Sequence, residues 1–480
     1  MQWVPLIVHI FVIIPFTVRI LLRDDISAPA RLAWFMVITL FPYVGAAIYF
    51  LFGEARFGAA IQTARIETAN RTLQVGKKWL GTESAMAATL PVEAKPLASY
   101  AASVDGMAPV AGNLAELLAD EETAIDRIVT DITTAKHHVH ILYYIWETDE
   151  TGQRMVEAVV AAAKRGVRCR VMVDGLGSRR FINSPLWQKL QTTPNVTAQV
   201  AMSLKHIVRT TLFSRVDLRN HRKITIVDNL ITYCGSQNCA DKAFHAKPKY
   251  APWVDIMFRV SGPVVTQNQL LFASDWLYYH PEDELTEFLT PEPVEAADGF
   301  PAQIVGFGPT TRAGASSQLL TTLIGNARER LTITTPYFVP DMEILSSLEA
   351  AAHRGVAVAL VVPARNDSWV VAAASRSYYR RLLEAGILLY EYTPGLLHAK
   401  TLTVDGLVTF VGSTNLDLRS FDLNFENNII MYDTAIANET YARQLTYLND
   451  SEPVTLSTID AWTIPERLWH NAVATIGPIL

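Results

Sequence analysis

The feature that most restricts how this chain can fold is a duplication. His-x-Lys-x4-Asp occurs as His221, Lys223 and Asp228 and again, 177 residues on, as His398, Lys400 and Asp405. Of the 18 positions aligned between residues 221–238 and 398–415, nine are identical. Besides the motif residues they are Val227/Val404, Leu230/Leu407, Thr232/Thr409, Gly235/Gly412, Ser236/Ser413 and Asn238/Asn415. Unrelated segments of ordinary composition would share roughly one. The chain therefore builds one unit twice, and each copy brings one His and one Lys.

Each copy is predicted to be a hairpin. Residues 224–227 and 401–404 are β-branched or apolar, Asp228-Asn229 and Asp405-Gly406 are turn pairs, and residues 230–233 and 407–410 resume a strand. His-x-Lys stands at the start of the first strand, where side chains two apart share a face, so imidazole and ammonium look into one space. That pairing suits attack on a phosphodiester. A neutral imidazole can act as nucleophile, an imidazolium can protonate the departing alkoxide, and two lysines can hold the phosphoryl oxygens as charge accumulates. A single copy supplies only one histidine role, so the duplication points to one site shared between the halves. A lone His-x-Lys would be read as a surface or satisfied core pair; its repetition with Gly-Ser-x-Asn at the same distance favours catalysis.

The surroundings repeat as well. Helical spacing at 154–165 precedes a strand at 167–173, and a helix at 319–330, a strand at 331–335, a helix at 344–354 and a strand at 356–362 follow in the second half. Gly166 and Gly355 close near-identical Ala-rich helices. Alternating helices and strands imply layered α/β sandwiches, and the Pro-rich, acidic residues 281–301 form the joint between them.

With these motifs in place the sequence resembles the phospholipase D superfamily, whose paired signatures match His221-Lys223-Asp228 and His398-Lys400-Asp405 with their Gly-Ser-x-Asn sequels. The flanks resemble its bacterial cardiolipin synthase branch: Leu218-Arg219-Asn220, Gly395-Leu396-Leu397, residues 335–340 and residues 415–421. The resemblance implies two tandem phospholipase D-like α/β sandwich domains sharing one active site, at 109–290 and 302–480, behind a connector at 57–108 and a two-helix transmembrane hairpin at 1–56. It implies His221, Lys223, Asp228, His398, Lys400 and Asp405 as the catalytic motif residues, with His221 the nucleophile and His398 the acid/base, although the near symmetry of the repeats leaves that order open. Asp255 and Glu426, 34 and 28 residues beyond the motif histidines, resemble the family's acidic partners of the imidazoles. Asn238 and Asn415 are expected to hydrogen-bond phosphate or imidazole. Asp228 and Asp405 sit at the hairpin turns, seven residues on, and are read as braces there.

The hairpin expectation also rests on the residues themselves. Residues 1–18 carry no Asp, Glu, Lys or Arg, and residues 32–52 are 21 uncharged, mostly apolar positions, each long enough to cross a bilayer. The first segment lacks the basic start and small-residue cleavage site of a signal peptide. Arg56, Arg65, Arg71, Lys77 and Lys78 follow the second segment, a bias towards the catalytic part in the cytoplasm, and the resemblance implies the inner membrane of a bacterium. An odd number of cysteines, Cys169, Cys234 and Cys239, agrees with a reducing compartment.

A net charge of −6 gives no broad basic surface, which argues against nucleic acid; a nuclease, the other chemistry of this motif, would want a basic channel and no lipid anchor. No metal or cofactor is expected. His137, His138 and His140 cluster without further ligands, and two lysines already supply the charge a metal would bring. His353 is read as solvated. The basic and apolar run 204–215 suits anionic lipid headgroups or an ordinary amphipathic helix. The expected partners are phosphatidylglycerol, other anionic phospholipids and the membrane. The implied reaction joins two phosphatidylglycerol molecules, releasing glycerol through a phosphatidyl-histidine. Hydrolysis to phosphatidic acid, transfer to another alcohol such as serine, and an inactive lipid-binding protein are the alternatives.

Overall fold

The computed structural model describes residues 4–23, 26, 28–53, 59–81, 90–203, 217–243 and 246–475. The basic and apolar run 204–215 lies outside the described residues. The first half contains β1 (Val110–Leu117), α6 (Glu121–Thr134), β2 (His138–Tyr143), α7 (Glu150–Lys164), β3 (Arg168–Asp174), β4 (Val196–Ala201), β5 (Lys223–Val227), β6 (Ile231–Gly235), β7 (Met257–Ser261) and α8 (Val264–Tyr279). Ahead of it lie α1 (Val4–Leu21), α2 (Ala28–Leu40), α3 (Pro42–Phe52), α4 (Ala59–Val75) and α5 (Lys95–Asp105). The second half contains β8 (Phe300–Phe307), α9 (Ala315–Asn326), β9 (Arg330–Thr334), α10 (Met342–His353), β10 (Ala357–Pro363), α11 (Trp369–Ser377), β11 (Leu388–Tyr392), β12 (Thr401–Val404), β13 (Val408–Gly412), β14 (Asn424–Tyr432), α12 (Thr434–Asn449), β15 (Ser451–Val454) and α13 (Ile464–Thr475).

These strands form one continuous sheet in the order β15-β11-β10-β9-β12-β13-β14-β8-β1-β7-β6-β5-β2-β3-β4. The halves share one plan: β1-β7-β6-β5-β2-β3-β4 in the first matches β8-β14-β13-β12-β9-β10-β11 in the second. They join where β1 and β8 pair antiparallel, Val110 opposite Ala302 and Asn113 opposite Phe300. In each half the strands joined by helices pair in parallel, β2 with β3 and β9 with β10, as crossover connections require. Gly166 and Gly355 end α7 and α10 at φ 95° and 90°, a left-handed stop that residues with a Cβ resist.

The central strands β5, β12 and β14 are buried along their whole length, which explains their apolar and β-branched runs. Helix α5 seats Leu97, Ala98 and Ala101 in the core of the second half, beside Leu319, Leu323 and Phe338. The stretch 57–108, expected as a connector, therefore contributes to a core.

The amino-terminal helices differ from the expected two spans. The uncharged segment 32–52 is broken into α2 and α3 at Phe41, whose φ of −132° and ψ of 67° leave the helical region directly before Pro42. Proline lacks the N–H for the helical ladder and disfavours helical geometry in the residue before it. Ile20, Ile38 and Tyr49 bring the three helices together. Among the described residues no helix is long and apolar enough to cross a membrane.

Candidate active site

The two motif hairpins are alike at their turns. Asp228 and Asn229 have φ of 54° and 52°, Asp405 and Gly406 of 52° and 65°, the two successive left-handed residues of a tight turn matched to strand twist. Contrary to the expectation from their position at the turns, the carboxylates brace other segments. Asp228 accepts from the backbone N–H groups of Lys136, His137 and His138 at 2.7–2.9 Å. Asp405 accepts from those of Arg328, Glu329 and Arg330 at 2.8–2.9 Å. Each aspartate thus ties its hairpin to the start of the neighbouring strand, β2 or β9, and reaches no reacting group.

At the other end of the hairpins the halves interlock. Arg219-Asn220 pairs in parallel with Asn424-Phe425, and Trp253-Val254 with Leu396-Leu397. These two-residue ladders lay each motif beside a carboxylate of the opposite half. His221 Nδ1 lies 2.9 Å from Glu426 Oε2 and His398 Nδ1 lies 2.6 Å from Asp255 Oδ1. Each carboxylate was expected beside the histidine of its own half; the structure exchanges them. The serines of Gly-Ser-x-Asn complete the exchange: Ser236 Oγ donates to Asp255 at 2.5 Å and Ser413 Oγ donates to Glu426. Each half orients the other's imidazole through a Ser–carboxylate pair.

A carboxylate at Nδ1 fixes the proton there and leaves Nε2 for chemistry. His221 and His398 both line a single cavity of about 570 Å³, with Asn238 and Asn415 also on its wall. Asn238 Oδ1 accepts from Ile145 N at 3.2 Å, whereas the buried Asn415 Oδ1 meets no hydrogen-bond donor among the described residues. The lysines stand behind the imidazoles. Lys223 Nζ donates to the His221 carbonyl at 2.7 Å and Lys400 Nζ to the His398 carbonyl at 2.6 Å, both side chains being almost wholly buried.

Burial governs the electrostatics. It pushes His221 down to about 4 and His398 below its usual value, against the pull of Glu426 and Asp255. It lowers Lys223 to about 8 and Lys400 to about 7. Burial alone would raise the two carboxyls, but the paired imidazole, the lysines and the serine hydroxyl outweigh it, and both stay below their usual range. The free site therefore holds two carboxylates and readily discharged bases, a setting that an incoming anion would shift towards protonated lysines.

Several wall residues gave little signal in the sequence. Trp253 stacks on His398 with centroids 4.8 Å apart and planes 3° from parallel, and Tyr144 packs on His221 at 4.7 Å and 59°. Asp417, raised to about 6 by burial, receives Ser420 N at 2.7 Å and lines the cavity. Off the cavity wall, Arg222 occupies the variable position of the first motif, where the second has Ala399. It donates to the Glu426 carbonyl at 3.1 Å and to Asp275 at 2.6 Å, so the one conspicuous mismatch within the motifs was its only trace. The other histidines stand apart: His140 is buried and stacks on His138 at 4.3 Å, and His353 is exposed. Among the described residues no group of three or more His, Cys, Asp and Glu is placed to hold a metal.

Two hairpin repeats fused through one sheet, with paired histidines on a common cavity, define a phospholipase D-like protein. The chain belongs to the family described as cardiolipin synthase, PLD-like domain, whose profile matches residues 128–276 and 320–446. A second profile, described as phospholipase D-nuclease N-terminal, matches residues 10–54. The chain is similar to cardiolipin synthase A of Citrobacter koseri, 34% identical over 94% of this chain and 92% of that protein. It is likewise similar to cardiolipin synthase A of Proteus mirabilis, 34% identical over 100% and 99%. Among solved structures, the phosphatidylserine synthase of Haemophilus influenzae shares the fold with a TM-score of 0.56 at 15% identity, over 76% of this chain and 95% of that one.

Proposed function

We propose that the protein is a cardiolipin synthase that transfers a phosphatidyl group between two phosphatidylglycerol molecules, yielding cardiolipin and glycerol. The observation that carries this reading is the exchanged pair of His–carboxylate contacts around one cavity, in a chain related along its whole length to cardiolipin synthases. His221 Nε2 attacks the phosphorus of the first lipid and forms a P–N bond as the P–O bond to glycerol breaks; His398 delivers its Nε2 proton to the departing glycerol oxygen. The neutral His398 then takes the proton from a headgroup hydroxyl of the second lipid, whose oxygen attacks phosphorus and releases His221. Glu426 and Asp255 hold the two rings and stabilise their charged forms. The phosphodiester's negative charge raises the depressed lysines and His398, so substrate itself helps protonate the acid and the clamps. Asn238, Asn415, Lys223 and Lys400 are the phosphate-side residues in this scheme, while Asp228 and Asp405 serve the scaffold.

In the same reading residues 1–56 anchor the protein as a hairpin in the bacterial inner membrane, 57–108 lead into the units at 109–290 and 302–480, and those units lie in the cytoplasm. The exposed Leu21, Leu22, Leu32, Met36, Leu40, Phe41, Tyr43, Val44 and Phe50 of α1 to α3 and the linking turn support the anchor, and a break such as that at Pro42 is tolerated within spans. The test is to supply labelled phosphatidylglycerol to the purified protein and separate the products. Cardiolipin and glycerol are expected from the wild type and neither from His221→Ala or His398→Ala. Phosphatidic acid as the sole product would make the protein a hydrolase, and full activity in either variant would refute the shared site.

A further inference from the structure

Helix α11 forms part of the cavity wall through Ser368, its N-cap, and Val371. Between them, Trp369 turns outward and is 65% exposed. It stacks on Trp469 of α13, centroids 5.6 Å apart and planes 17° from parallel, and α13 is fixed to α11 by Val473 against Ala373 and Ala374. Trp469 is itself 51% exposed, and Ile464 and Leu468, four apart on one helix face, are 73% and 65% exposed. Trp369 and Trp469 thus form an outward indole pair beside the cavity, and Ile464 and Leu468 expose a second apolar stripe on α13, where soluble surfaces usually carry only scattered apolar residues.

We propose that this patch of Trp369, Ile464, Leu468 and Trp469 rests in the interfacial layer of the lipid bilayer and seats the cavity mouth on the membrane. Continuity with the cavity identifies the occupant. On the reading given above, to which this inference adds, both substrates are diacyl lipids; their chains stay in the membrane while two headgroups enter one cavity. The mouth must then meet the bilayer surface, and the element beside it should be apolar with indole rings able to face both lipid and water. Tryptophan suits that boundary, and aliphatic neighbours add burial among the acyl chains. The amino-terminal helices tether the chain, whereas this patch sets how the catalytic part lies against the bilayer.

The test uses the full-length protein with Trp369→Ser and Trp469→Ser combined. Phosphatidylglycerol is offered either in bilayer vesicles or as a dihexanoyl form dissolved below its micelle concentration. Cardiolipin synthesis from vesicles is expected to fall by about tenfold or more, as loss of two interfacial indoles implies, with turnover of the soluble lipid unchanged. Equal activity on vesicles, or an equal loss on both substrates, would overturn the proposal; absence of cardiolipin from the wild type on either substrate would instead overturn the function itself. Independently, a polarity-sensitive dye at Leu468→Cys, the native cysteines being buried, should shift to the blue in vesicles and be quenched by lipids spin-labelled in the upper acyl chain. Shielding without lipid quenching would assign the patch to residues 476–480 of the same chain and reject the bilayer as its occupant.

Discussion

At the scale of single residues, the exchanged carboxylates separate two roles that a symmetric repeat would otherwise confuse. If His398 is the acid, Asp255 matters for protonating the leaving alkoxide, and an aryl leaving group of low basicity should make that protonation unnecessary. Asp255→Asn is therefore expected to lose about 10²-fold or more on phosphatidylglycerol, the worth of a positioned acid, yet to release aryl alcohol from a phosphatidyl aryl ester at nearly the wild-type rate in a single turnover. Glu426→Gln weakens the nucleophile His221 and should be slow on both substrates; the reverse pattern would reverse the histidine assignments. The lysines give a pH signature. Burial holds Lys400 at about 7 and Lys223 at about 8 in the free site, so both are charged below that range and neutral above it. An anion must restore those protons to bind, and its affinity should fall as pH rises. Sulfate, whose own charge is constant there, is expected to inhibit strongly at pH 6 and weakly at pH 9. Inhibition independent of pH would show that the lysines do not meet the anion.

The motif aspartates belong to the scale of the element. Three backbone donors converge on each carboxylate, but Asp228 is buried and Asp405 is only partly so. Charge-assisted bonds shielded from water are worth more and cost more to lose. Asp228→Ala is expected to cost about 3 kcal/mol and Asp405→Ala less, both lowering the thermal midpoint while activity per folded molecule persists; a selective loss of activity without a drop in midpoint would return these residues to the chemistry. These hairpins were legible in the sequence because strand, turn pair and strand are consecutive and their side-chain pattern is local. The exchange of Asp255 and Glu426 was not, since it depends on Arg219-Asn220 and Trp253-Val254 meeting strands of the other half, ladders of two residues each and too short to leave a period. The break at Pro42 was legible as a residue but was outweighed by the unbroken apolar run around it.

At the scale of the whole molecule, the halves cannot be treated as beads on a string. One sheet runs through both by way of β1 and β8, and helices α4 and α5 pack against the halves it joins. Arg65 of α4 lies 4.0 Å from the ring centre of Tyr278, donates to the Tyr279 hydroxyl at 3.0 Å and approaches Asp275 within 3.9 Å. Asp275 in turn holds Arg222 and Asn220, the residues on either side of His221. Helix α5 fills the second core with Leu97, Ala98 and Ala101. Removal of residues 1–56 leaves both supports in place and should give a folded protein that makes cardiolipin in detergent micelles, with reduced activity on vesicles. Removal of residues 1–108 strips apolar side chains from one core, where each large deletion costs about 2–5 kcal/mol, and takes away the Arg65 support behind His221. That product is expected to aggregate, or to melt far below the shorter truncation and turn over nothing. Equal melting points and activities for the two truncations would show that α4 and α5 merely pass by the catalytic halves.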